Sequence, residues 1–352
     1  MMYALIMAGG RGARFWPRSR RAFPKQCVAI GGPDSLIRQT VDRLAPMISP
    51  EHILVITGPD MVDAIAAQLP DLPAENILVE PQGRNTAPCV GWGAVEVARR
   101  GGEDAVMMVL PADHVITAPE ILRDSLAGAA AAAVETGALV TLGITPTHPE
   151  TGYGYLELGD EAGQWAGQSL RVVSRFQEKP DATTAAQYVA SGRHLWNAGM
   201  FVFTAGAVLS AFAAHLPRSA VALRRIAADP GSLAEAWGEL EATSIDFGIM
   251  ERVDNILTAP CDPGWSDVGS WSAAGALLPE DAGGRGETLR TLSIDAADNI
   301  TYAPGKVVAL IGVSGLAVVD ADDALLVMDA SRAQEVRDIV TMLETTGLPH
   351  LT

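Results

Sequence analysis

Short apolar runs alternate with helix-like stretches along the first three hundred residues, and this alternation constrains the fold more than any other feature. Strand-like runs fall at residues 3–7, 52–57, 77–80, 105–110, 138–144, 170–178, 199–204 and 256–259. Helical patterns fill several gaps, at 35–44, 61–68, 87–100 and 120–136. Such alternation predicts an α/β fold, a mostly parallel sheet with helices on both faces. Ligands in these sheets bind at the carboxyl ends of strands. Polar clusters sit there in this chain, after Met7, Glu80, Leu110 and Ile144.

The composition changes after Pro279. A turn with Gly283, Gly284 and Gly286 leads into short β-type pieces at 292–295, 300–302, 307–311, 316–320 and 324–328. Closely punctuated short strands suggest a small β-helix-like unit. A terminal helix over 333–345 closes the chain, and no long-period repeat is visible. The expected division is therefore 1–280 and 281–352.

Net charge is −17, which argues against nucleic acid as a partner. Within that acidic chain, Arg11, Arg14, Arg18, Arg20, Arg21 and Lys25 gather in one short segment. The cysteines, Cys27, Cys89 and Cys261, lie far apart and form no CxxC pair. They read as reduced, packed thiols, as in a cytoplasmic protein. No stretch is long and apolar enough for a signal core or a membrane span. The six histidines show no metal-ligand spacing, which argues against zinc.

Six segments carry possible chemistry. The first runs from Ala8 through Gly9, Gly10, Gly12 and Arg14 to Lys25, directly after the first strand. Glycines let backbone N–H groups approach an anion, and Arg14 and Lys25 add charge against a triphosphate. It is neither a Walker loop nor a GxGxxG turn. In the second, Glu80 to Pro88, polar side chains can read a base edge, although Thr86 can equally be a helix N-cap. The third, after Leu110-Pro111, places Asp113 at a strand end beside His114. The fourth places Asp267 between Trp265 and Trp271. Two carboxylates plus substrate phosphates are a usual way to bind Mg²⁺, provided the fold joins them. His114 is a candidate neighbour of that metal or a ligand to it. The fifth and sixth hold Glu178-Lys179 and Asn197, whose carboxylate and amide suit sugar hydroxyls. A surface ion pair is the plainer reading of Glu178-Lys179.

In this order, MAGGRGARFWPRSR, FPKQ, EPQGRNTAP, LPADH, FQEKP, WNAGMF, SIDFGIME and WSDVGSW resemble the sugar-nucleotidyltransferases, specifically the mannose-1-phosphate guanylyltransferases in their short form. The resemblance implies a Rossmann-like nucleotidyltransferase domain using GTP, mannose 1-phosphate and Mg²⁺. It implies a metal on Asp113 and Asp267, and phosphates against Arg14 and Lys25. Ala8, Gly9, Gly10, Gly12, Pro111 and Asp113 would border the nucleotide, with Asn85 and Thr86 near guanine. Gly152, Tyr153, Glu178, Lys179, Asn197 and Asp267 would form the sugar-phosphate site. Family habit also implies a homodimer. No HxH pattern of a cupin-type isomerase follows, so isomerase activity is not expected. Two other functions remain open: transfer to another hexose or heptose 1-phosphate, and a non-catalytic subunit that binds GDP-mannose.

Overall fold

Strand β1 (Met2–Ala8) sends Tyr3 and Leu5 into one apolar core and Ala4, Ile6 and Ala8 into another. That is the period of two of a strand covered on both faces. The computed structural model describes residues 1–278 and 290–352. Around β1 the chain builds β2 (Ile53–Thr57), β3 (Ile77–Val79), β4 (Val106–Pro111), β5 (Val115–Ile116) and β6 (Leu139–Ile144). Then follow β7 (Gly154–Trp165), β8 (Gln168–Glu178), β9 (His194–Thr204), β10 (Ile256–Cys261) and β11 (Trp265–Ser266). The large sheet has the order β3-β2-β1-β4-β9-β6-β10-β8-β7.

The helices are α1 (Leu36–Leu44), α2 (Val62–Gln68), α3 (Thr86–Gly101), α4 (Pro119–Thr136), α5 (Ala182–Ser191), α6 (Ala205–His215), α7 (Pro217–Ala228) and α8 (Leu233–Trp237). Ile37, Ile65 and Leu122 bring α1, α2 and α4 to one face of the sheet. Val90, Phe212, Leu223 and Trp237 bring α3, α6, α7 and α8 to the other. The α/β class and the two helical layers follow the sequence pattern.

The sheet is mixed rather than mostly parallel. Strands β3, β2, β1 and β4 run parallel, as do β6 and β10. Strands β9, β8 and β7 add the antiparallel pairings. The β7–β8 hairpin turns on Ala166 and Gly167, both at positive φ, and two-residue turns of that kind force antiparallel neighbours. Strand β7 escaped the sequence reading because its outer half is exposed and acidic, which hides the apolar alternation.

A short helix α9 (Trp271–Gly275) precedes the C-terminal unit. That unit contains β12 (Arg290–Ile294), β13 (Ile300–Tyr302), β14 (Val307–Ile311), β15 (Leu316–Ala321), β16 (Ala324–Asp329) and α10 (Val336–Thr345). β12 lies parallel on β14 and β13 parallel on β15, each residue over the one seventeen places on. This is the coil repeat of a β-helix, as the short strands suggested; the seventeen-residue period itself was hidden because, in the paired strands, only Ile294 and Ile311 are identical. The expected terminal helix divides into a 3-10 turn, Ala330–Glu335, and α10. The turn with Gly283, Gly284 and Gly286 and the expected boundary at 280/281 lie outside the described residues.

A third core joins the two parts. Phe15, Trp16, Val115 and Trp271 pack there with Val319, Leu326 and Val336. Among the described residues, no helix is long and apolar enough to cross a membrane.

Candidate active site

The carboxyl ends of β1, β2 and β4 lie in register, with Met7 level with both Ile56 and Pro111. Three clefts run together there. The middle one, about 390 Å³, is lined by Gly10, Gly12, Arg14, Lys25, Asp113 and Asp267. A second, about 360 Å³, is lined by Gly9, Glu80, Asn85, Thr86, Pro111 and Asp113. A third, about 210 Å³, is lined by Gly152, Tyr153, Glu178, Asn197, Asp246 and Asp267. Asp113 borders the first and second, Asp267 the first and third, so the three form one groove. An apolar groove of about 410 Å³ between α3, α6 and α7 carries none of these residues.

Lys25 is the hub of the middle cleft. Its ammonium donates to Asp113 Oδ2 and to the Asp267 carbonyl, both at 2.8 Å, from a side chain only 6% exposed. The loop can close over it only because residue 12 is glycine. Gly12 has φ +66°, and a Cβ there would stand 2.2 Å from Lys25 Cβ. Burial, the largest single influence, would raise the Asp113 pKa, but the Lys25 charge, the nearby His114 and the hydrogen bonds to the carboxylate together hold it below its usual range. Ala8 itself lies under the cleft. Its carbonyl accepts from Gln26 Nε2 at 2.9 Å and Thr57 Oγ1 at 3.0 Å, which fixes the start of the loop.

Asp267 Oδ1 accepts from Tyr153 OH at 2.7 Å and from the Gly269 N–H at 3.2 Å. Burial and the Asp267 charge push the Tyr153 pKa up, so the phenol stays a donor. Trp265 Nε1 donates to His114 Nδ1 at 3.0 Å. Burial lowers the His114 pKa against the pull of Asp113, leaving a neutral ring that orients Trp265. Among the described residues, no group of three His, Cys, Asp or Glu gathers as a metal cage. Two carboxylate donors beside a cleft of phosphate size still fit Mg²⁺, which keeps waters and shares substrate oxygens.

In the third cleft, the Glu178 side chain is only 7% exposed. Its Oε1 accepts from Lys179, while its Oε2 has no protein partner. A Cβ on Gly154 would lie 2.5 Å from that oxygen, so a larger residue there would push the carboxylate from its place. Asn197 is held on both sides. Its Oδ1 accepts from Thr141 Oγ1 at 2.8 Å, and its Nδ2 donates to Asp246 Oδ1 at 2.9 Å. The Lys179 side chain is 55% exposed and does not line the cleft.

Asp246 is a site residue that the sequence reading missed, although SIDFGIME contains it. Burial, then the Glu178 charge, pushes its pKa up to about 7. A carboxyl raised this way is protonated in the fold where the unfolded chain has already lost the proton. Its contribution to stability therefore falls as pH rises from about 4 to about 7. Asp246→Asn should accordingly gain melting temperature relative to the parent as pH rises from about 4 to about 7, and keep that gain above it. A difference that does not change with pH would contradict this.

Glu80 was also passed over. It is buried beside the second cleft, and burial raises its pKa to about 7. Asn85, not Thr86, caps α3, its Oδ1 accepting from the Thr86 N–H at 2.9 Å. The Thr86 hydroxyl accepts from the Ile245 N–H at 2.9 Å and so ties the second cleft to the third. The basic cluster divides its work. Arg11, Arg14 and Lys25 line the middle cleft, whereas Arg20 pairs with Asp323 and Arg18 lies over the Tyr302 ring.

The family model for nucleotidyl transferases matches residues 3–278. The chain belongs to the nucleotidyl transferase family. A second model, described as a MannoseP isomerase/GMP-like β-helix domain, matches residues 290–343. The xanthan biosynthesis protein XanB of Xanthomonas campestris pv. campestris (strain B100) is 39% identical over 97% of this chain and 73% of its own length. A mannose-1-phosphate guanylyltransferase of Escherichia coli is 38% identical over 98% of this chain and 74% of its own. A crystal structure from Thermus thermophilus, described as a mannose-1-phosphate geranyltransferase, superposes with TM-score 0.88 at 37% identity. It covers 97% of this chain and 99% of that one, and shows the same fold. These relatives support GDP-mannose synthesis as the activity of this nucleotidyltransferase.

Proposed function

We propose that the chain transfers GMP from GTP to mannose 1-phosphate, releasing pyrophosphate. The observation that carries this reading is the single groove in which Lys25, Asp113 and Asp267 join a base-sized cleft to a polyol-sized one. In the second cleft, the Glu80 carboxylate is an acceptor suited to the ring N–H and exocyclic amine of guanine, with Asn85 and Thr86 at its edge. In the third, the unpartnered Glu178 Oε2 and the fixed Asn197 amide suit mannose hydroxyls, with Gly152 and Tyr153 beside them. The middle cleft takes the phosphates against the Gly9-Gly10 backbone, Arg14 and Lys25. Lys179, which is outside the cleft, is assigned the rim.

Mannose 1-phosphate is already an anion, so its oxygen attacks the α-phosphorus without a general base. The chain's work is to bring two anions together in line. Arg14 and Lys25 neutralise the polyphosphate, and Tyr153 holds the Asp267 carboxylate at the junction with the sugar cleft. Asp113 and Asp267 would hold Mg²⁺, which supplies charge neutralisation at the phosphate oxygens. The displacement is direct, so labelled GTP without sugar phosphate should leave no guanylyl-enzyme, and a trapped adduct would overturn it.

Glu178→Ala should raise KM for mannose 1-phosphate roughly tenfold or more while leaving KM for GTP near the parent value, since hydrogen bonds to charged groups contribute about 1.5–3 kcal/mol. An unchanged sugar-phosphate KM would remove Glu178 from this role.

We further propose a division near 280/281, a cytoplasmic setting and a homodimer. Leu292, Ile294, Val307 and Ile311 expose an apolar face of the β-helical unit, which supports pairing of two copies. Changing Leu292 and Ile311 to Lys should give a monomer by sedimentation. A parent chain that is itself monomeric would refute the dimer.

A further inference from the structure

Arg337 lines the middle cleft together with Gly10, Arg11, Gly12, Arg14 and Lys25, although it belongs to the C-terminal unit. Its place is fixed by packing. Val336, the preceding residue, is buried in the core that holds Phe15, Trp16 and Trp271. Trp16 Nε1 donates to the Leu351 carbonyl at 2.8 Å, and the Arg21 N–H donates to the Thr352 carbonyl at 2.8 Å. The segment that follows the glycine-rich loop is thus clamped to the end of the chain.

Just before α10, Gln334 Oε1 accepts from Arg14 Nη1 at 3.1 Å. The guanidinium of Arg337 has no hydrogen bond or ion pair among the described residues. The guanidinium groups of Arg11, Arg14 and Arg337 and the buried Lys25 ammonium therefore face one cavity with only two carboxylates, Asp113 and Asp267, among its described lining. Burial, then the nearby Arg337 charge, lowers the Arg14 pKa, which shows that the two cations feel each other. Such an arrangement is unfavourable alone and becomes favourable when a polyanion enters, because guanidinium–phosphate contacts are strong and can be bidentate.

We propose that the C-terminal unit is part of the active site: Arg337 holds the pyrophosphate portion of the nucleotide, and Gln334 keeps Arg14 turned toward it. The assignment rests on the nucleotidyl transfer proposed above. The β-helical unit then does more than extend the fold, since without α10 the phosphate cleft lacks one of its cations.

Calorimetric titration of the full chain with inorganic pyrophosphate, and separately with mannose 1-phosphate, in Mg²⁺ buffer tests this without requiring turnover. Arg337→Ala should weaken pyrophosphate binding about tenfold or more, Arg337→Lys should fall between it and the parent, and mannose 1-phosphate binding should stay unchanged. Arg332→Ala, on the preceding 3-10 turn and away from the cleft, should match the parent for both ligands. Pyrophosphate binding that is unaffected by Arg337→Ala would overturn the proposal. So would an equal loss for both ligands, which would mark a purely structural role. A parent chain with Arg337-dependent pyrophosphate binding but no GDP-mannose synthesis would uphold this site and defeat the proposed reaction instead.

Discussion

Asp267→Asn is expected to lower kcat by at least about a hundredfold, the scale seen when a preorganised electrostatic group is lost. Among the described residues, Asp267 is the one carboxylate bordering both the phosphate cleft and the sugar cleft. An asparagine keeps an oxygen for the Tyr153 hydroxyl and the Gly269 N–H, so the local turn should survive. Its backbone carbonyl still accepts from Lys25. What disappears is the negative charge, and with it half of the proposed Mg²⁺ anchor. Asp113→Asn should act in the same direction and should also strip Lys25 of its counter-ion. The check is kcat measured beside a melting curve. A variant with near-parental kcat would remove Asp267 from the reaction, and a collapsed melting curve would move its importance to folding.

Lys25→Met should cost about as much in kcat while changing GTP affinity less. The methionine fills most of the space and keeps contact with Phe15, whose ring lies 5.2 Å from the ammonium. It removes the one cation that touches both aspartate-bearing segments. Charge builds on the leaving pyrophosphate during transfer, so a fixed cation there is worth more in the transition state than in the bound ground state. A loss confined to KM for GTP would mean that Lys25 binds both states equally. The variant should also free the Asp113 carboxyl from the charge that now holds its pKa down.

The features that were legible in the sequence share one property: they are local. Strands β1, β2 and β4 and helices α3 and α4 are long or strongly apolar, and the site segments follow directly at strand ends. Strand β7 was not legible because half of it faces water. Asp246 and Glu80 sat inside quoted motifs, yet nothing local marks them as buried; burial, and for Asp246 also the Glu178 charge, makes their carboxyl groups unusual. Arg337 is the extreme case. It is an ordinary helical arginine until the packing of Val336 against Phe15 and Trp271 carries it to a loop more than three hundred residues earlier. The basic cluster is continuous in sequence, but the structure turns the Arg18 and Arg20 side chains to the C-terminal unit rather than to the cleft.

The central claim is that one groove joins GTP to mannose 1-phosphate. Pyrophosphate release by the purified chain, measured with GTP, ATP, dTTP and UTP against mannose, glucose and heptose 1-phosphates, tests it most directly. The account predicts the highest kcat/KM for GTP with mannose 1-phosphate, and none without added divalent metal. A clear preference for another nucleotide or sugar phosphate, or no release with any pair, would contradict it.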